Sequence, residues 1–107
     1  MKRGCLTEDI QKIANDFLKR DINQVELRLY PYIDFVIKNT GLYKLEKINW
    51  EEREILIRLA VEGHLALRGG DGFESEYIYV TKEFYDYIQK ILWLAYVQTK
   101  LEEEDGN

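Results

Sequence analysis

One cysteine, one proline, one histidine and one serine stand in 107 residues, and each scarcity closes off a class of function. Cys5 alone can form no internal disulfide, so the sequence predicts a fold held by its core, in a reducing compartment such as the cytoplasm. A single His and a single Cys are too few for a zinc site, and no metal or cofactor is expected. Cys5, His64 and Ser75 do not assemble into a nucleophilic triad. The longest apolar run, Ile91 to Val97, falls far short of the roughly 20 residues a membrane-spanning helix needs. Met1 to Gly4 carry two basic residues but no apolar stretch follows, so no secretory signal is expected. With Pro31 as the only proline and no Pro/Gly/Ser-rich linker, one domain over 1–107 is predicted.

What is present is ordinary for a globular chain: 46% apolar and 33% charged residues, enough to bury a core unaided. The net charge of −5 is uneven. Residues 1–70 hold 12 basic and 11 acidic side chains, whereas residues 71–107 hold 3 and 9, so the acidity sits in the last third. Residues 102–107 read as an acidic, disordered tail.

Local patterns place the elements. Thr7 caps a helix to about Arg20, with Glu8 and Asp9 in its first turn and Ile10, Ile13, Ala14, Phe17 and Leu18 on one face. Gln24 to Lys38 fits either a strand, through Val25, Leu27 and Leu29, or a helix bent near Pro31; the helix is preferred, stopped at Asn39-Thr40-Gly41. Asn49 with Glu52 three residues on opens a helix from Trp50 to Glu62, which Gly63 ends. Leu65–Arg68 and Glu76–Thr81 form a hairpin about Gly69-Gly70-Asp71-Gly72-Phe73, where Gly and Asp tolerate the backbone a tight turn requires. Thr81 caps a long last helix from Lys82 to about Leu101. The predicted class is mainly α with a small β-hairpin.

The succession of helix, Glu62-Gly63-His64-Leu65, strand, glycine turn, strand with Tyr77-Ile78-Tyr79-Val80-Thr81, then helix resembles the second half of a winged-helix domain. The resemblance covers roughly Val25 to Leu92. It implies that the helix before the hairpin is a recognition helix and the hairpin a wing, putting Glu51, Glu54, Arg58 and Glu62 on the helix's outer side and Arg68 to Ser75 at the wing tip.

Winged-helix domains commonly bind DNA, and the charges at these positions argue against it here. At 100° per residue, Glu51, Glu54, Arg58 and Glu62 share a narrow arc, while Trp50, Ile55, Leu56, Ile57, Leu59, Ala60 and Val61 fill most of the rest. The wing adds Asp71, Glu74 and Glu76 against Arg68. Glutamates held against a phosphate backbone repel it. Arg53, Arg58 and Arg68 are the candidate DNA contacts if this view fails. A plainer account of the same stripe is an i,i+4 charge ladder on a solvated face.

The last helix is wet on one side through Lys82, Glu83, Asp86, Gln89 and Lys90, until Trp93, Leu94, Val97 and Leu101 take over that side. The cover over these four is a second copy of the chain, another protein, or the chain's own first helix. Tyr77, Tyr79, Tyr85 and Tyr87 could serve as base-stacking platforms, but strand and helix packing explain them more simply. Gly69-Gly70-Asp71-Gly72 lacks the lysine and hydroxyl of a phosphate loop. His64, just past a helix stop, reads as a capping or surface residue.

The expectation is therefore a non-enzymatic protein-binding module, a regulator, adaptor or inhibitor with an acidic surface suited to a basic target such as a nucleic-acid-binding protein. A phage or mobile-element inhibitor has this size and charge. The alternative is a dimeric winged-helix DNA-binding transcriptional regulator.

Overall fold

The computed structural model describes residues 5–70 and 74–98. Asp71, Gly72, Phe73, Leu101 and the acidic stretch 102–107 lie outside the described residues.

Helix α1 (Glu8–Leu18) begins where Thr7 accepts the Ile10 amide hydrogen through its hydroxyl at 3.2 Å. Its apolar face buries Ile10, Ala14 and Leu18. It stops at Lys19, which adopts the left-handed conformation (φ 63°) and donates its N–H to the Asn15 carbonyl, a position glycine would take with less strain. Helix α2 (Gln24–Lys38) is capped by Asn23, whose side chain accepts from the Glu26 amide at 2.8 Å. It runs through Pro31, so the strand alternative for Val25 to Leu29 does not hold. The apolar residues on successive turns, Leu27, Tyr30, Ile33 and Val36, are all buried, and this burial outweighs the one backbone bond that Pro31 cannot donate. Gly41 (φ 74°) turns the chain away, its N–H bound to the Val36 carbonyl.

A short strand β1 (Leu42–Lys44) follows, then a single 3-10 turn over Leu45–Lys47. Three residues carry no usable periodicity, and β1 has no counterpart in the sequence reading. Helix α3 (Trp50–Val61) opens with a complete capping box: Asn49 accepts from the Glu52 amide at 2.8 Å, and Glu52 accepts from the Asn49 amide at 2.9 Å. Gly63 (φ 88°) closes it. Strands β2 (Leu65–Gly69) and β3 (Ser75–Val80) form the expected hairpin, each within a residue of its predicted limits. Thr81 then caps helix α4 (Lys82–Leu92), and the chain continues as a π-helical turn over Trp93–Gln98.

The hairpin is part of a three-stranded antiparallel sheet of order β1-β3-β2, with Leu42 opposite Tyr77 and Arg68 also opposite Tyr77 across the other side. Mainly helical with a small antiparallel sheet, the fold is α+β, and its arrangement is compatible with a winged-helix-like plan. The inner face of the sheet, bearing Tyr43, Leu65 and Ile78, joins the buried sides of the helices in one core. On the outer face Leu42, Lys44, Ala66, Arg68 and Tyr79 are exposed and Ser75 and Tyr77 half-buried. No helix among the described residues is long and apolar enough to cross a membrane.

Candidate docking face on the helix before the hairpin

Helix α3 sits on the core through only three residues, Ile55, Leu56 and Leu59, which are buried, with Ala60 half-buried beside them. Its other side faces solvent and is not purely charged. Trp50 is 79% exposed and Val61 83% exposed, and Ile57 is exposed between them. Positions 50, 54, 57 and 61 recur at helical spacing, so Trp50, Glu54, Ile57 and Val61 form one outward stripe, flanked by exposed Glu51 and Arg58. The helical wheel alone sets Trp50, Ile57 and Val61 with the other apolar residues, apart from the charged outer arc. In the fold α3 packs against α2 and β2 through one side only, so these three apolar residues stay uncovered.

The remaining charges of the expected surface are divided. Glu62 is tied back to the core, accepting from Arg20 Nε at 2.8 Å and from its NH2 group at 2.9 Å. The Arg20 guanidinium holds the Glu62 carboxyl below the usual carboxylate range. Glu76 lies on the inward side of β3, where it accepts from Arg53 (2.8 Å at its Oε2) and from the Tyr43 hydroxyl. Arg53 is thereby occupied, and of the three candidate DNA contacts only Arg58 and Arg68 are exposed with no salt bridge among the described residues. Glu74 is exposed at the turn, and Asp71 is outside the described residues. At the start of α3, Leu45, Ile48, Asn49, Trp50 and Arg53 line a shallow groove of about 340 Å³, which gives the Trp50 ring a concave neighbour.

Beneath this surface lies a polar cluster that the sequence reading did not find. Glu26 is 1% exposed, yet its carboxylate receives Arg20 NH1 at 3.0 Å and the Tyr30 hydroxyl at 2.6 Å. Tyr30 in turn meets the Tyr87 hydroxyl at 2.9 Å. Burial pushes both phenols well above the ordinary tyrosine value, with Glu26 adding to the effect. The Arg20 guanidinium, raised chiefly by its bonds to Glu62 against the cost of burial, bridges two carboxylates from α2 and the end of α3. No buried side-chain polar atom among the described residues lacks a partner. The pattern that could have signalled it is Glu26 four residues before Tyr30 within an otherwise apolar helical face.

Next to this cluster, His64 packs against Phe17 (centroids 4.9 Å) and Phe84 (5.6 Å), so the lone histidine is part of an aromatic group and not a free surface residue. Tyr87 is buried in the same group, stacked on Phe17 at 4.6 Å, and is unavailable for base stacking. No cluster of three or more His, Cys, Asp or Glu among the described residues could hold a metal ion.

The far end of the chain is partly covered. Leu94 is half-buried against the core, while Trp93 is 51% exposed and Val97 is also exposed. Helix α1 packs along α4 and the π-helical turn, but an apolar groove of about 520 Å³ remains between them, lined by Ile13, Gln89, Lys90, Trp93 and Leu94. The chain's own first helix therefore covers part of this face.

No family model matches this chain, and no match is found among curated proteins or solved structures.

Proposed function

We propose that this protein is a non-enzymatic binding module that docks on another protein through the outer side of α3, acting as a regulator, adaptor or inhibitor on a winged-helix-like scaffold. The observation that carries the proposal is the exposure of Trp50, Ile57 and Val61 on a helix whose charges are mainly acidic. Each large apolar side chain left in water forgoes about 1.5–3 kcal/mol of burial, and a partner that covers all three recovers it. Tryptophan beside a groove is the usual anchor of such contacts. Glu51 and Glu54 set the sign of the partner: a basic surface gains from them, whereas a phosphate backbone is repelled.

In a winged-helix plan this helix is the one that would enter a DNA groove. Here that surface offers an indole, two aliphatic side chains and two carboxylates against one arginine, Arg58, and Arg53 is held by Glu76. The lone cysteine suits an intracellular, reducing setting.

A homodimer through the last helix is compatible with this function, because Trp93 and Val97 stay exposed beside an open apolar groove. Light scattering at high micromolar concentration tests it: a dimer for the wild type and a monomer for Trp93→Glu is the expected pair of results, and a monomer for both removes it.

The docking proposal is tested by what co-purifies with the tagged chain from its native cell. A protein retained by wild type and Trp93→Glu but lost with Trp50→Ala and Val61→Ala is the expected outcome. Salt-sensitive binding of mixed-sequence duplex, lost on Arg58→Ala, would instead establish the transcriptional regulator.

A further inference from the structure

We propose that the outer face of the sheet, on a different surface from α3, is a binding platform for single-stranded nucleic acid. The strand pairing brings Leu42 and Lys44 of β1, Ser75, Tyr77 and Tyr79 of β3, and Ala66 and Arg68 of β2 onto one face. Alternation sends every acid of these strands elsewhere: Glu76 points inward and is held by Arg53. In a chain of net charge −5, the paired strand residues on this face include two cations and no carboxylate.

Lys44 and Arg68 are both exposed, and neither forms a salt bridge among the described residues. They stand on opposite sides of β3, with Arg68 directly across from Tyr77 and Lys44 across from Ser75. On β3 the rings of Tyr77, which is half-buried, and Tyr79, which lies one pair beyond Arg68 opposite Ala66 and is 54% exposed, are 6.3 Å apart and 28° from parallel. Two residues along a strand advance about 6.6 Å, so two rings on alternate positions stand in a short row at close to the strand repeat. A single strand fits this arrangement: its bases are free to stack on the rings, while its phosphates reach the cations on either side. A duplex does not, because its bases are already stacked and unavailable to the rings, and its two backbones would meet only two charges.

Two neutralised phosphates set a small, measurable salt dependence. For single strands the slope of log affinity against log salt is about −0.7 per phosphate, giving about −1.4 here. Arg68→Gln should bring it to about −0.7. Removing one stacked ring should weaken binding at least about fivefold.

The test is fluorescence anisotropy of a labelled short deoxythymidine oligomer at low and moderate salt, with the full chain, Tyr79→Ser, Arg68→Gln and Trp50→Ala. Tyr79 and Arg68 are exposed, so thermal melting should be unchanged in these variants and any loss is a loss of contact. Binding with the stated slope, weakened by Tyr79→Ser, shallower in Arg68→Gln and unaffected by Trp50→Ala, supports the platform. An absence of binding at low salt overturns it, as does binding that survives Tyr79→Ser, or a duplex of the same length bound equally well. Because Trp50→Ala disables α3 alone, loss of protein docking and loss of strand binding are separable.

Discussion

Two groups of glutamates sit within one short span of the molecule and meet opposite fates. Glu51 and Glu54 on α3 face water beside uncovered apolar side chains, whereas Glu62, one residue past the end of the same helix, is clamped with buried Glu26 around a single guanidinium. The difference is supplied by Arg20, 42 residues away in sequence from Glu62. Acidic residues on a helix thus mark either a joint or a free surface, and only the location of the cation separates the two cases. Here the joint fixes how α2, α3 and α4 meet, and the free stripe is what remains for a partner.

This contrast is broken most strongly by Arg20→Ala. It leaves Glu26 buried without its counter-ion, and breaking such a pair costs about 3–5 kcal/mol. Urea unfolding should show that loss, while Trp50→Ala and Val61→Ala, on the exposed stripe, should stay within about 0.5 kcal/mol of wild type. Acid sharpens the comparison next. Glu62 has its folded value depressed by Arg20, so its contribution is complete above the ordinary carboxylate range and is lost as pH falls through the folded value. Stability should therefore drop on acidification, and Glu62→Gln should flatten that limb. Asn49→Ala removes the side-chain acceptor of the Glu52 amide, the half of the α3 capping box that Asn49 itself supplies, and should cost about 1 kcal/mol by thermal or urea unfolding, loosening the end that displays Trp50. The smallest effect is a gain: Lys19→Gly relieves the left-handed residue that ends α1 and should stabilise by about 0.5–1 kcal/mol.

The caps at Thr7, Asn49 and Thr81 were legible in the sequence because each is a local exchange between a side chain and an amide three residues on. The hairpin was legible through its glycine turn. β1 was not, since Leu42-Tyr43-Lys44 becomes a strand only by pairing with β3, more than thirty residues later. The candidate site was readable in part. Glu51, Glu54 and Arg58 are exposed where the helical wheel set them. Trp50, Ile57 and Val61 were misplaced because a wheel shows which residues are apolar but not on which sides the helix has neighbours. Glu62, Glu76 and Arg53 looked free until their partners, on other elements, came into contact. The outer sheet face shows the same limit: Arg68 and Lys44 flank the Tyr77 and Tyr79 strand only after three strands align.

The most direct test of α3 as the docking surface is the affinity of the co-purified partner for the chain, compared with a Trp50→Ala/Val61→Ala double variant of unchanged melting temperature. A dissociation constant raised at least about tenfold is the predicted result, since two large side chains contribute well over 1.4 kcal/mol when buried. An affinity equal to wild type in that variant would contradict the assignment.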